Sequence, residues 1–459
     1  MLHFFIRSPN NYFSPGMNAF YFRSMKQWAL AFAGAMMVLA TDAQVYIEKQ
    51  TRHRFAQLNL GFDGQASAGG STFILNPPQY ADELLFDPLF TPRFLIGGIH
   101  FWGHADFYLA IPLFHPSFTK EEQEISYSNN VETVFKYYPW RIEHHRLSPF
   151  IGFSLTPASF SQNDLRSENG QGATVTHTTW PLLTGVTFNI GNHLFELGAS
   201  WHYSNNITYY FSETESRTVQ TPPLSFSLSY RYMMETTISA ERDWESGKTE
   251  AITEQLEEKH RLNGIFAGAG VSSAWWLNQS GYNKAERPFI PAYGISILPE
   301  FAAGYYFHKA DLNLTLNYRT YHTEMSAYGT SQKATRKSLG FEVTKFLFDY
   351  KGFAPFAGPV VTYEDLSFTE EAGEVSTVSV SDQKPAWGIT FGWDIRPNRL
   401  QAFLLRTNLR YFPALDLEVK DDETVSFDNI EFNFIELIVF PGRMFSKKFR
   451  EAISETTSR

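Results

Sequence analysis

Cysteine is absent from the 459 residues of this chain. Its absence excludes disulfide bonds, thiolate chemistry and cysteine-based zinc sites, and it also excludes a lipid anchor on an N-terminal cysteine. Blocks of basic residues are absent as well. The chain has 38 lysines and arginines against 48 acidic residues, which gives a formal net charge of -10. This balance argues against nucleic acid as a partner.

The common motifs of cofactor and metal sites are also lacking. The sequence contains no phosphate-binding loop, no dinucleotide-binding glycine pattern and no zinc-protease motif. The adjacent His144 and His145 would point to opposite faces of a strand, so we assign them to a solvated turn. We therefore predict no cofactor, no metal site and no enzymatic activity.

Near the N-terminus, the apolar run is too short to form a spanning helix. It covers the thirteen residues 28–40, whereas a spanning helix needs about 20. Met25 and Lys26 precede this run and small residues follow it at 41–43. A charged start, a short apolar core and a small-residue exit predict a secretory signal peptide at 25–43. Residues 1–24 fit no signal pattern, and we predict a non-translated or disordered extension there.

Alternation of apolar and polar residues is abundant. In residues 105–113, Phe107, Leu109 and Ile111 alternate with polar or small residues, which predicts a strand with one apolar face. Eight such strands are predicted before residue 233, near 58–62, 93–101, 106–113, 131–138, 147–155, 182–188, 195–203 and 224–232. Short turns alternate with long polar segments, and we interpret the segments at 63–91, 114–130, 156–179 and 204–221 as loops.

The second half of the chain repeats this series. The Ala105-Asp106 opening returns at Ala310-Asp311, and further matches keep an offset of 205–207 residues. A steady offset predicts an internal duplication. We place the first eight-strand repeat at 44–232, a charged periplasmic linker at 233–259, the second repeat at 260–445 and a polar tail at 446–459.

The alternating runs are often 9–11 residues long, and this is the length that a tilted strand needs to cross a bilayer. One face is rich in Phe, Leu, Trp and Tyr, the other is polar, and aromatic residues collect near the run ends, as in a membrane barrel. We predict an all-β, transmembrane antiparallel up-and-down β-barrel of about 16 strands.

This pattern, over residues 53–440, resembles the outer-membrane β-barrel proteins of Gram-negative bacteria, and each half is similar to their small eight-stranded family. The resemblance implies an outer-membrane location, contact with outer-membrane lipid and insertion by the barrel-assembly machinery. It brings no catalytic residues with it.

Two closures fit the predicted strands. One sixteen-stranded ring would leave an aqueous channel, whereas two tandem eight-stranded barrels would be filled by side chains. We favour the single ring, because a duplicated half needs to open only one edge pairing to join its copy.

Charged and polar residues on the inward faces are candidates for lining the lumen. Arg406, Asn408 and Arg410 share one face, and Glu431 lies on the facing side of the next strand. These groups either form an arginine ladder that biases a pore toward anions or pair with one another inside a filled barrel. We favour pairing. The full candidate set is Arg319, Glu342, Arg406, Asn408, Arg410, Glu431, Glu196 and His202.

A hydrolase is a more distant hypothesis. Glu196, Ser200 and His202 fall on one face of a predicted strand, and a serine, histidine and acid together can form a nucleophilic site. Polar lumen residues are the better interpretation of this set.

The leading functional hypothesis is a porin-like passive channel for small polar solutes. The alternative is a non-conducting structural or recognition barrel whose long extracellular loops bind a partner or a surface. Barrel width separates the two, since only a wide barrel leaves an aqueous channel.

Overall fold

The computed structural model describes residues 56–447, apart from 77–79, 167–170, 236–246, 277–278, 294–295, 351, 374, 397–401, 414, 421–422 and 428. The predicted signal peptide, the N-terminal extension and most of the polar tail lie outside these residues. The described chain is almost entirely antiparallel β-structure, which confirms the predicted fold class.

The first half contains fifteen strands among the described residues. They are β1 (Ala56–Ser67), β2 (Gly70–Asn76), β3 (Tyr80–Phe86), β4 (Leu89–His100), β5 (Ala105–Pro112), β6 (Ser117–Lys120), β7 (Gln123–Asn129), β8 (Glu132–Tyr137), β9 (Leu147–Asp164), β10 (Val175–Thr179), β11 (Leu182–Ile190), β12 (His193–Trp201), β13 (Asn206–Tyr210), β14 (Ser216–Gln220) and β15 (Leu224–Glu235). A short 3-10 helix (Phe101–Gly103) joins β4 to β5.

The second half contains ten strands and three helices in its described part. They are α1 (Gly247–Glu258), β16 (Gly264–Trp276), α2 (Gly281–Glu286), β17 (Ser296–Phe307), β18 (Leu312–Ala327), β19 (Thr330–Phe346), β20 (Phe353–Ala372), β21 (Val375–Ile395), β22 (Phe403–Tyr411), β23 (Asp416–Lys420), β24 (Glu423–Ser426), β25 (Asn429–Val439) and α3 (Pro441–Phe445). None of the helices in the described part of the chain is both long and apolar enough to cross a bilayer.

Strand pairing closes two separate rings. The first ring runs β1-β4-β5-β8-β9-β11-β12-β15, and β15 pairs back to β1. The second runs β16-β17-β18-β19-β20-β21-β22-β25, and β25 pairs back to β16. The single sixteen-stranded ring that we favoured from the sequence is therefore wrong, and the two tandem eight-stranded barrels are correct. Because β15 finds a full-length partner in β1, the first half leaves no open edge for the second half to join.

All eight ring strands predicted in the first half are present, whereas the four segments predicted as loops are not simple loops. They contain β2, β3, β6, β7, β10, β13 and β14, and β9 itself runs on to Asp164. These strands stand beyond the ring and pack around an apolar cluster of their own. We missed them because they are short, and their Ser, Thr, Asn and Gln residues hide the alternation.

The predicted alternation of faces is present in the ring strands. On β18, Leu316 and Tyr318 are exposed, whereas Asn317 and Arg319 are buried. The same pattern gives both barrels an outer surface of Phe, Leu, Val, Trp and Tyr and a polar inner surface. A closed antiparallel ring with an apolar outer belt is the form that a sheet takes in a bilayer, so the two rings are transmembrane β-barrels.

Each barrel has one rim of short connections, such as 191–192 and 308–311, and one rim where hairpins and long strands project. We call these the short-turn rim and the long-loop rim. On the long-loop side of the second barrel, β18 to β21 extend to 16, 17, 20 and 21 residues, more than the roughly 9–11 needed to cross a bilayer.

The two barrels contact each other near both rims. At the short-turn rim, the ring centroids of Phe101 and Phe353 are 5.2 Å apart and those of Phe107 and Trp393 are 6.5 Å apart. At the long-loop rim, Tyr328 in the β18–β19 turn donates its amide to the Gln171 carbonyl at 3.0 Å and its hydroxyl to the Tyr210 carbonyl at 2.8 Å.

Candidate functional site

The interior of the first barrel holds two groups of buried charges. In the group nearer the long-loop rim, the Arg93 guanidinium binds Asp63, with Nη2 2.5 Å from Oδ2, and it also binds Glu132. Ser154 and Thr156 donate to the Glu132 carboxylate at 2.5 and 2.9 Å. Each charge in this group therefore has a partner on another strand, and one guanidinium serves two carboxylates.

The second group lies nearer the short-turn rim. Arg231 donates from Nη2 to Asp106 at 2.7 Å and to Glu196 at 3.0 Å. Lys136 pairs with Glu196 and donates to the Tyr108 hydroxyl at 2.7 Å. The small polar cavity that remains between the two groups is large enough for about one water molecule.

In the second barrel, the largest set of buried charges centres on Arg410. Its Nη2 lies 2.6 Å from Glu300 Oε1, and its Nε lies 2.5 Å from Glu342 Oε1. Asn433 and Ser272 also donate to Glu300, at 3.0 and 2.5 Å. This arrangement ties β22 to β17 on one side and to β19 on the other, so the guanidinium spans the interior.

A second set stacks toward the long-loop rim. Arg336 binds Glu364 at 2.6 Å and Glu431 at 3.1 Å, and Arg319 binds Glu431 at 3.1 Å. The buried ring of Phe412 lies 4.7 Å from the Arg336 guanidinium carbon. Toward the short-turn rim, Arg406 forms two bonds to Asp394, at 2.8 and 3.1 Å.

Every residue of the candidate set is buried, and all but His202 lie on strands of a barrel. The shortest contacts are not the neighbouring-strand pairs that we expected. Arg319 is 3.9 Å from Glu342 but 3.1 Å from Glu431, and Arg410 binds Glu300 and Glu342 rather than Glu431. In a barrel this narrow, a long arginine side chain reaches the opposite wall, which the linear pairing of strands does not reveal.

The charges of the first barrel other than Glu196 were not among the candidate lumen residues. Asp63, Arg93, Asp106, Glu132, Lys136 and Arg231 are all buried inside it. The signal that identifies them is available in the sequence, because each falls at an inward position of an alternating strand.

Glu196, Ser200 and His202 do not form a catalytic set. Glu196 is occupied by Lys136 and Arg231, and His202 lies beyond the end of β12, where the nearest charged groups include Glu132. Among the described residues, no hydrogen bond joins any two of the three. No group of three potential metal ligands is found in the described part of the chain either.

Apolar side chains close the first barrel on both sides of the charges. Toward the short-turn rim the closing cluster includes Ile99, Tyr138, Ile142, Leu194 and Met233. At the long-loop rim a second cluster lies between the projecting hairpins and contains Ile74, Leu84, Phe86, Ile125, Tyr127, Ala158, Phe160, Ile207, Tyr209 and Val219.

The second barrel is closed in the same way. Its short-turn end is filled by Phe266, Tyr306, Phe346, Ala354, Phe356, Leu404, Ile438 and Phe440. Its long-loop end holds a larger cluster, which we call the outer apolar cluster, built from Trp276, Tyr282, Phe289, Ile290, Tyr293, Tyr321, Met325, Leu366, Phe368, Leu415, Leu417, Val425, Phe427 and smaller neighbours. The α2 segment and the β23–β24 hairpin supply the lid of this cluster.

One polar group is built into the outer apolar cluster. The Glu370 carboxylate accepts hydrogen bonds from Tyr282 at 3.1 Å, Gln332 at 2.8 Å and Arg287 at 3.0 Å. Burial, together with the nearby carboxylate, raises the pKa of Tyr282 to about 12. The hydroxyl of Tyr282 therefore stays protonated and holds α2 against β20.

Neither a protein-family model nor a curated protein sequence matches the chain. Among solved structures, Neisserial surface protein A is 15% identical, with a TM-score of 0.27 over 39% of this chain and 97% of that chain. An outer membrane channel from Pseudomonas putida F1 is 8% identical, with a TM-score of 0.19 over 86% of this chain and 98% of that chain. OmpT, an outer membrane protein of Vibrio cholerae, is 8% identical, with a TM-score of 0.17 over 86% of this chain and 99% of that chain. Similarities at these scores carry no conclusion about function, and the fold rests on the strand pairing.

Proposed function

We propose that the chain is an integral outer-membrane protein whose two filled barrels anchor a recognition surface and do not conduct. The observation that carries this proposal is the closure of both interiors, with a layer of paired charges between apolar clusters at the two rims. Side chains fill eight-stranded barrels, so no aqueous channel is left. The porin-like channel expected first from the sequence stays a prediction that a conductance recording tests.

The recognition surface is the long-loop side. There the first barrel projects paired hairpins and the second projects long strands, so a large part of the chain stands beyond the belt that contacts lipid. Because these projecting strands are ordered, they present a fixed surface. Binding to a fixed surface costs little conformational entropy. The expected partners in the membrane are outer-membrane lipid and the barrel-assembly machinery.

The proposed orientation is open to a direct test. Because the chain lacks cysteine, a single introduced thiol is a unique label. Glu371→Cys lies at the long-loop rim and Lys309→Cys at the short-turn rim, and both side chains are exposed. In intact cells, a membrane-impermeant maleimide should label Glu371→Cys and leave Lys309→Cys unlabelled until the outer membrane is permeabilised. The reverse pattern would contradict the proposal.

A further inference from the structure

The N-terminal part of β21, toward the long-loop rim, is a free sheet edge. β21 pairs with β20 from Val375 to Ile395, but it pairs with β22 only from Ile389 to Ile395. Between Val375 and Gly388, no strand among the described residues pairs with the other side of β21, although β23 lies against β21 near Lys384. Such an edge presents a row of amide and carbonyl groups that can pair with another chain.

One face of this edge is exposed and the other is only partly covered. Residues 375–383 are exposed or half-buried, with Val375 66% exposed, whereas the inward Leu366 and Phe368 of the adjacent β20 are fully buried. Val378 and Val380 face the outer apolar cluster and are only partly covered by it. The lid formed by α2 and the β23–β24 hairpin contacts β21 at Lys384 but leaves much of residues 375–383 exposed.

The sequence of the edge lacks the usual protection against pairing. Residues 375–381 read Val-Ser-Thr-Val-Ser-Val-Ser, without a charge or a proline, although charges and prolines are what natural edge strands use. The next charges and proline come after this run, at Asp382, Lys384 and Pro385. There, Lys384 contacts the Asp416 carbonyl of the β23–β24 hairpin. The unprotected part is thus seven residues, about 23 Å of strand.

We propose that this edge binds an extended segment of another protein by strand addition. The bound segment would run antiparallel to β21 and continue the line of β22. Backbone hydrogen bonds would supply affinity, and alternate apolar side chains would cover Val378 and Val380. The exposed Glu371 of β20, opposite Ser376, and the exposed Asp382 of β21, 3.2 Å from Lys384 Nζ, lie near the two ends of the edge, so basic residues at the ends of the segment complement them. This inference rests on the proposed recognition function and names the kind of partner.

A second copy of this chain does not fit the edge. Two copies in one membrane are related by an axis along the membrane normal. That axis sets the two β21 strands side by side in the same direction, with identical backbone groups facing each other at the same height. Amides would then meet amides, and a hydrogen-bonded ladder would require shifting one copy along the normal.

The probe for this edge is an acetylated and amidated peptide of sequence KTVTVTVTK carrying a fluorophore. Because main-chain bonds supply the affinity, this generic strand should bind the folded chain in detergent saturably, as measured by fluorescence anisotropy. Absence of saturable binding to the wild-type chain would overturn the proposal.

Two proline variants at adjacent positions control for the edge. Successive residues of a strand direct their amides to opposite sides, so one of Ser379→Pro and Val380→Pro removes an amide from the free edge and the other disrupts pairing with β20. The variant that stays folded should bind the peptide at least about tenfold more weakly, the effect of losing about 1.4 kcal/mol. Unchanged binding by both variants would count against the proposal.

Cross-linking locates the bound peptide. A peptide with a central cysteine should form a disulfide with Ser379→Cys and not with Lys333→Cys, an exposed position on β19 that is paired on both sides. Disulfide dimers of Ser379→Cys that exclude the peptide would identify a second copy as the occupant and overturn the proposal. A protein that conducts yet captures the peptide would overturn the proposed function alone, and a silent protein that captures none would overturn this inference alone.

Discussion

Arg410 on β22 and Glu342 on β19 bond across the interior of the second barrel, with Nε 2.5 Å from Oε1. These strands are three apart in the ring, so the contact crosses the lumen. Arg410 also binds Glu300 on β17, three strands away in the other direction. One guanidinium therefore blocks the barrel axis and holds three parts of the wall.

Removing this guanidinium should destabilise the protein strongly. Arg410→Met leaves Glu300 and Glu342 buried without a cation, and breaking a buried pair in this way costs about 3–5 kcal/mol. The matched control is Lys337→Met, which breaks an exposed pair with Asp365 and should change the unfolding free energy by less than about 1 kcal/mol. Urea unfolding of the refolded variants measures both. Equal losses in the two variants would refute a structural role for Arg410.

The buried carboxylates of the second barrel are not equivalent. Between its apolar clusters the described chain places six carboxylates, Glu300, Glu342, Glu364, Asp394, Glu431 and Glu436, against four arginines, Arg319, Arg336, Arg406 and Arg410. Glu436 Oε1 accepts no hydrogen bond from the described residues. Glu436→Gln should therefore leave stability unchanged within about 1 kcal/mol or raise it, because it removes an excess buried charge. Glu300→Gln, its matched control, weakens the Arg410 pair and should cost about 2–4 kcal/mol. Unfolding in urea distinguishes them, and a larger loss in Glu436→Gln would show that this carboxylate has a partner.

In the first barrel, Arg231 and Asp106 should be energetically coupled. Their two hydrogen bonds, at 3.0 and 2.7 Å, join fully buried groups. Asp106→Leu and Arg231→Met should each destabilise the fold, and the double variant should lose less than the sum, with a coupling of about 0.5–3 kcal/mol. Additive losses in this double-mutant cycle would mean that Arg231 relies on Glu196 and Asn59 instead.

The contact of Tyr328 with the first barrel should hold the two barrels together at the long-loop rim. Tyr328→Ala removes the hydroxyl bond to the Tyr210 carbonyl, worth about 1 kcal/mol. Hydrogen exchange of the amides in residues 206–220 should then speed up several-fold, with both rings still folded. Tyr318→Ala removes a lipid-facing tyrosine from the adjoining strand β18 and should leave that exchange unchanged. Exchange unaffected in Tyr328→Ala would show that the contact is incidental.

Strands that face lipid on one side and the interior on the other were the predictable part of this fold. In these strands every second residue contacts hydrocarbon, so apolar and polar residues alternate regularly. Leu314, Leu316 and Tyr318 of β18 are an example. The projecting strands have water and neighbouring hairpins around them, which relaxes the pattern. The hairpin β13–β14 is an example, since only Ile207, Tyr209 and Val219 of it are buried.

The closure of each ring and the pairing of its buried charges could not be predicted from the sequence, because both depend on the curvature of the sheet. Nothing local distinguishes a β15 that returns to β1 from one that opens to a second half. Likewise, Arg406, Asn408 and Arg410 are buried, but the partners of each depend on the width of the barrel. The two Ala-Asp pairs, at 105–106 and 310–311, show that identical residues at matched positions can have different structural roles. Asp106 is buried in a strand, whereas Asp311 lies in a turn with φ of 45° and accepts a hydrogen bond from the Tyr306 hydroxyl. The internal duplication stays a prediction.

Single-channel recording of refolded residues 44–459 in a planar bilayer tests the central claim most directly. A shift in gel mobility on heating should first confirm that the inserted protein is folded. The sealed interiors predict no conductance steps above the bare bilayer, in the wild-type chain and in Lys337→Met alike. Large, steady steps from the folded wild-type protein would contradict this account and would establish a channel through at least one of the two barrels.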